Sequence, residues 1–203
     1  RMEATVIPEA GYKFYGLHIT TTVGSIISKV KYATSLMKAY FESKQILKQE
    51  KPDICIGFGN YISVPLILAA HHLGIKTMLH EQNSFAGKAN KFLSHVADAV
   101  VGCYESNKLQ MPKANVRILG NPSASVVKDV VFNPKVIENI GLSKDIPFVV
   151  FMMGSLGSSS VSKVIDEAIP LFDQDFQVII VNGKANSYQF QNTNFNNIKF
   201  VPY

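Results

Sequence analysis

Four polar residues in a row, His80, Glu81, Gln82 and Asn83, end an apolar run that begins at Lys76. In open parallel sheets ligands bind outside the carboxyl ends of the strands, so such a block reads as the rim of a cleft. A carboxylate there gains a raised pKa by partial burial, which makes Glu81 the candidate general base. His80 beside it is expected to make a local hydrogen bond. Asn83 and Asn90 suit hydrogen bonds to sugar hydroxyls or an amide, although Asn90 and Lys91 also fit an ordinary helix surface. A second cluster is GSLGSSS, residues 154 to 160. Gly154 and Gly157 allow a tight turn and a close backbone approach, and Ser155 offers a hydroxyl. A helix opening near Ser159 presents N–H groups and the positive end of its dipole, which suits a diphosphate. The stretch is not a P-loop, because no Gly-Lys-Ser/Thr follows.

These residues need a scaffold that brings strand ends to one edge. Apolar runs at 12–19, 53–58, 76–81, 98–102, 116–119, 147–153, 176–181 and 198–201 read as strands, several of them buried on both faces. Helical stretches lie between them, the longest from about Ser25 to Glu50, with others near 62–74, 88–95 and 159–172. RMEATVIPEAG at the start reads as a helix or turn, and NPKVIENIGLSKDIP as a short helix and a loop. The alternation predicts an α/β chain of doubly wound parallel sheets. GNYIS, HEQN, GNP and GSLGSSS all fall at strand exits. A Gly-Asn-Pro turn at 120–122, followed by a long interval before the strand at 147, marks a domain boundary. Residues 1–125 form the first domain and 126–203 the start of a second.

With 203 residues, 47% hydrophobic and 17% charged, the composition is that of a globular protein with a sizeable core. Only the polar NTNFNN stretch, 192–197, looks prone to disorder. Cys55 and Cys103 match no metal-binding spacing and read as unpaired buried thiols in a reducing compartment. No uninterrupted apolar run is long enough for a membrane span, and no signal peptide is visible. Four of the five net positive charges lie in residues 1–51, which hold eight Lys or Arg against four Glu. An anionic partner follows, such as a membrane surface or a phosphate-bearing substrate. At the start of the long helix Ile26, Ile27 and Val30 alternate with Lys29 and Lys31, a mix that suits contact with anionic lipid.

The order Pro52-Asp53, Gly57-Phe58-Gly59, Tyr61-x-Ser63, Ala69-Ala70, Leu73-Gly74-Ile75, His80-Glu81-Gln82-Asn83, Gly87, Asn90-Lys91 and Ala97-Asp98 strongly resembles the MurG family of peptidoglycan glycosyltransferases. LGNP and GSLGSSS follow in the expected order, so the resemblance covers essentially the whole chain. It implies a GT-B fold of two Rossmann-like domains around a cleft, the first for the acceptor and the second for the donor. It implies inverting transfer of N-acetylglucosamine from UDP-GlcNAc to the muramoyl 4-hydroxyl of lipid I, giving lipid II, at the cytoplasmic face of the cell membrane. The protein would be peripheral there, with no cofactor, no metal and no nucleic-acid partner. By the same resemblance Asn83 contacts the donor sugar and Ser155, with Gly154 and Gly157, its diphosphate. Glu81, Tyr61, Ser63, His80 and Asn90 line the acceptor side.

The sequence departs from the family pattern in several places. The GGTGGH-type loop that opens the family, with a His often considered for catalysis, and the uracil-binding segment are not in it. Its first residue is Arg1, so the chain is expected to be a piece of a longer protein, with both domains incomplete. Asn60 and Met153 stand where Gly is usual, and Ala124 where some members carry Arg. Two alternatives stay open: another GT-B transferase with a lipid-linked or glycerolipid acceptor, and a non-catalytic acceptor-binding subunit.

Overall fold

The computed structural model describes residues 3–20, 26–154, 157–173, 175–183 and 187–202. The chain divides into two compact units, Arg1–Asp129 and Val130–Tyr203. The division falls beyond residue 125 because helix α6, Pro122–Lys128, spans that point.

In the first unit, α1 (Glu3–Glu9) and α2 (Ile26–Glu50) precede a parallel sheet of β1 (Ile54–Gly57), β2 (Lys76–Glu81), β3 (Ala99–Gly102) and β4 (Val116–Ile118). The order β1-β2-β3-β4 runs in one direction, as in one wing of a doubly wound sheet. Crossover helices α3 (Ser63–His72), α4 (Lys88–Leu93) and α5 (Ser106–Gln110) join the strands. Ile67 of α3, Leu79, Leu93, Val100 and Met111 form the fully buried core. Gly57 lets α3 lie close on the sheet, since a Cβ there would meet Ile67 and Leu79 side chains at 3.1 Å. Cys55 is buried in this core, and burial pushes its thiol pKa up. Cys103 is half-buried, and both cysteines are unpaired.

The run at 12–19 is not a strand. Among the described residues no strand lies beside it, and an isolated strand has no ladder to satisfy its backbone. It runs instead along α2, tied by Lys13 Nζ and Tyr15 OH to the Glu50 carboxylate at 2.8 and 2.6 Å, and by Thr20 to Ser35.

Asp98 clamps the entries of β2 and β3. Its carboxylate accepts from Lys76 Nζ, the Thr77 N–H and the Thr77 hydroxyl, all at 2.9 Å. These donors, Lys76 foremost, hold its pKa down at about 2. In the unfolded chain an Asp titrates near about 3.9, so this stabilisation is complete above about pH 4 and disappears as pH falls toward 2. Thermal melts of the parent should therefore fall steeply over that window. Asp98→Asn should lower Tm at neutral pH and flatten the acid limb; an unchanged acid limb would exclude Asp98 as its source.

The second unit is a parallel sheet of β5 (Phe148–Met152), β6 (Gln177–Asn182) and β7 (Ile198–Pro202), in the order β5-β6-β7. Its β6 is buried on both faces: Val178 and Ile180 pack with Ile165 and Ile169, and Ile179 packs with Ile137 and Leu142. Those partners come from α8 (Ser159–Ala168) and the turn that follows it on one side, and from α7 (Pro134–Asn139) and the loop after it on the other. The helix expected to reach 172 changes to a 3-10 turn at Ile169–Leu171, where Pro170 has no N–H to donate.

Residues 192–197 are held, against the expectation of disorder. Asp166 on α8 is 2% exposed and accepts from Tyr188 OH, Gln191 N and Asn192 N at 2.8 to 2.9 Å. Burial works to raise its pKa, yet these hydrogen bonds outweigh it and keep the carboxyl below its usual range. Asn197 Nδ2 donates to the Phe176 carbonyl at 3.1 Å.

Candidate active site

Glu81 is the last residue of β2 and is 2% exposed. Its Oε1 accepts from the Asn83 N–H at 3.0 Å and from Asn83 Nδ2 at 3.1 Å. Its Oε2 accepts from the Gly87 N–H and from Asn90 Nδ2, both at 2.9 Å. Burial raises its pKa, but the four donors outweigh burial and the pKa is lowered. The raised pKa expected from the sequence is thus corrected: a buried carboxylate stays ionised when its lone pairs are saturated by N–H donors. The carboxylate closes the 81–90 segment into a compact loop above the sheet edge.

His80 is 3% exposed and lies on the other side of the strand end. Its Nδ1 faces the Gln82 amide at 3.1 Å and its Nε2 the Gly120 carbonyl at 3.0 Å. A carbonyl only accepts, so Nε2 carries the proton and Nδ1 receives the bond from Gln82. The Cys103 Sγ stands 4.0 Å from Nε2, and the Phe58 ring 5.6 Å from the imidazole. The bond with Gln82 is the local one expected of His80, while its Nε2 ties the HEQN strand end to the distant turn after β4.

Asn90 is 1% exposed and also donates to the His80 carbonyl, at 3.2 Å. Its Oδ1 is the buried side-chain oxygen or nitrogen without a hydrogen-bond partner among the described residues. The same side chain lies against Gly59, where a Cβ would stand 3.3 Å from Asn90 Nδ2. Asn90 therefore joins the HEQN loop to the turn after β1.

In that turn Gly59 and Asn60 have φ values of 83° and 69°. Asn60 holds a conformation suited to Gly because its side chain bonds the local backbone: Oδ1 accepts from the Tyr61 N–H at 2.6 Å. Ser63 opens α3 and donates its hydroxyl to the Asn60 carbonyl at 2.7 Å. Tyr61 and Asn60 line a cavity of about 410 Å³ with Tyr32, Val64, Gly87, Lys88, Ala89 and Phe92. Glu81, Asn83, His80 and Asn90 thus share one network, with Tyr61 and Ser63 in the adjoining turn.

Three supporting residues were not singled out from the sequence. Asn107 on α5 is fully buried, donates to the Asn83 carbonyl at 2.9 Å and accepts from the Tyr104 N–H. Ser106 and Gln110 both donate to the Ser84 carbonyl, and Gln110 Oε1 accepts from the Ala86 N–H. Gly102 leaves space for Asn107, whose Oδ1 would be 2.7 Å from a Cβ there. The available signal was the polar spacing Ser106, Asn107 and Gln110 on a segment too short to show periodicity.

In the second unit Gly154 and Gly157 have φ of 72° and 67°, and the Gly157 N–H donates to the Gly154 carbonyl at 3.2 Å. They make the tight turn expected between β5 and α8. Ser158 caps α8, its hydroxyl accepting from the Val161 N–H. Ser155 lies outside the described residues.

At the start of α2, Ile26, Ile27 and Val30 are 79, 70 and 58% exposed, and Lys29 and Lys31 are exposed with them. Only Ala39, Ser43 and Leu47 of this helix are buried.

Parallel α/β units with a polar loop at the strand exits and a glycine turn before a helix define a Rossmann-like scaffold whose strand exits suit a ligand. Residues 1–101 match the glycosyltransferase family 28 N-terminal domain. Along its whole length the chain is 36% identical to the UDP-N-acetylglucosamine--N-acetylmuramyl-(pentapeptide) pyrophosphoryl-undecaprenol N-acetylglucosamine transferase of Latilactobacillus sakei, and it spans 58% of that protein. All of the chain also superposes on 57% of Acinetobacter baumannii MurG, with a TM-score of 0.58 and 22% identity. A Staphylococcus aureus MnaA–UDP structure matches 89% of the chain at a TM-score of 0.61 and 14% identity, covering 54% of that protein. These likenesses give the GT-B fold.

Proposed function

We propose that this protein transfers N-acetylglucosamine from UDP-GlcNAc to the muramoyl 4-hydroxyl of lipid I, forming lipid II with inversion. The observation that supports the reading is the Glu81-centred network at the carboxyl edge of the first sheet, which fixes the Asn83 and Asn90 side chains in one loop. In the reaction the acceptor oxygen bonds to the anomeric carbon, the bond to the diphosphate breaks, and UDP leaves. The hydroxyl proton must pass to a base, and the leaving diphosphate must meet positive dipoles.

Asn83, exposed on the loop, contacts the donor sugar. Tyr61, Ser63, His80 and Asn90 line the acceptor side, where the buried Asn90 helps fix the shape of the loop. The Gly154–Gly157 turn, Ser155 and the start of α8 hold the diphosphate. Glu81 acts as a positioning carboxylate, because both its oxygens are saturated and its pKa is lowered; the proton goes to another group. The exposed start of α2 rests on the anionic cytoplasmic face of the membrane, where the lipid-anchored acceptor lies.

The test is turnover by the protein as its gene encodes it, with radiolabelled UDP-GlcNAc and a lipid I analogue. The expected product is the β-linked disaccharide lipid, with UDP released in equal amount. Transfer to a glycerolipid instead, or epimerisation of UDP-GlcNAc without acceptor, would overturn the reading.

A further inference from the structure

The exit of β6 carries a glycine that the proposed reaction does not use. Gly183 follows Asn182 and is buried. It is not among the glycines with positive φ, so its backbone would accept any L residue. Space alone excludes one. A Cβ on Gly183 would overlap the Gly157 nitrogen and stand 2.6 Å from the Gly154 carbonyl oxygen and 2.8 Å from the Gly157 Cα. All three are main-chain atoms of the turn between β5 and α8, and none can swing aside as a side-chain tip would.

We infer that Gly183 is a positioning residue for donor binding: its bare backbone is the floor on which the Gly154–Gly157 turn rests. The inference rests on the proposed reading that this turn holds the donor diphosphate. Gly157 N is one end of the turn's closing hydrogen bond to the Gly154 carbonyl, and both atoms meet Gly183. Any side chain at 183 must therefore push both ends of the turn, and with them the first N–H groups that follow. Backbone N–H groups bind phosphate only when their directions converge, so a shift of about 1 Å weakens the site without touching the ligand. Gly183 thus acts on the diphosphate and not on the nucleoside.

The experiment compares UDP with uridine by calorimetry, in the parent and in Gly183→Ala, using the protein as its gene encodes it. The parent should bind UDP more tightly than uridine. Gly183→Ala should lose roughly 10-fold or more in UDP affinity while keeping uridine affinity, since the displaced donors face phosphate only. Equal loss for both ligands would mean general damage to the unit and overturn the inference, as would no loss for either. If the parent itself does not prefer UDP over uridine, the phosphate reading of the turn fails instead. Should Gly183→Ala not fold, amide NMR of the parent decides: UDP, and not uridine, should shift the Gly157 and Gly183 N–H signals together. A response at Gly157 with none at Gly183 would overturn the proposal.

Discussion

Glu81→Gln should be the most damaging single substitution in the first unit. The carboxylate accepts four hydrogen bonds from N–H donors on Asn83, Gly87 and Asn90. A Gln amide keeps one oxygen and turns an NH2 toward two of those donors, so one side of the network becomes donor against donor. Leaving buried groups unsatisfied costs about 1–3 kcal/mol, more where a charge was involved, and Tm should fall accordingly. The loop then loses its register, and a misplacement of about 1 Å at a reacting centre removes roughly 10²-fold in rate. We expect kcat for disaccharide formation to fall by at least about that factor, with the shape of the pH–rate profile in the neutral range retained. Parent-like kcat and Tm would show that the carboxylate organises nothing. Loss of kcat with parent-like Tm and without the acid limb of the pH profile would restore Glu81 as the general base.

The lowered pKa of Glu81 carries a sign. A carboxylate more acidic in the folded state stabilises the fold above its unfolded pKa of about 4.3, and that contribution is lost as pH falls through the folded value. The stabilisation by Glu81 is therefore complete throughout the neutral range and is lost only in acid.

Reversing Lys29 and Lys31 should abolish most membrane binding. Each lysine near an anionic surface contributes about 1 kcal/mol, so removing two lowers affinity roughly 30-fold. Replacing them by Glu adds repulsion and takes the expected loss in Lys29→Glu/Lys31→Glu to about 10²-fold at low salt. The difference between variant and parent should shrink as salt shortens the Debye length from about 30 Å at 0.01 M to about 8 Å at 0.15 M. Cosedimentation with phosphatidylglycerol-containing vesicles provides the measurement. In the proposed docking the exposed Ile26, Ile27 and Val30 would supply the shallow apolar contact, so Ile26→Ser/Ile27→Ser should weaken binding at all salt concentrations. A double Lys variant that binds such vesicles like the parent would place the docking surface elsewhere.

The run Val178–Val181 illustrates what local pattern reveals. Continuous β-branched residues mean burial on both faces, and β6 has one apolar cluster on each side. A different pattern misleads at Tyr12–Ile19, an aromatic-rich run with no neighbouring strand to pair with among the described residues. Composition reports what a segment would favour in a sheet; pairing depends on whether another segment arrives beside it.

By itself the amino-acid order determined the parallel α/β class, the strand exits that carry polar residues, and the Gly154 to Gly157 turn. Those properties follow from hydrophobic period and from backbone freedom, which neighbouring residues settle. Only the tertiary structure decided that Glu81 is ionised and saturated. Its donors lie two, six and nine residues ahead, and the loop that places them is stapled by Ser106, Asn107 and Gln110 from another helix. Only the tertiary structure, likewise, brought Gly183 under Gly154 and Gly157. A pKa and a close backbone approach are sums over atoms in space, and for those sums distance along the chain carries little information.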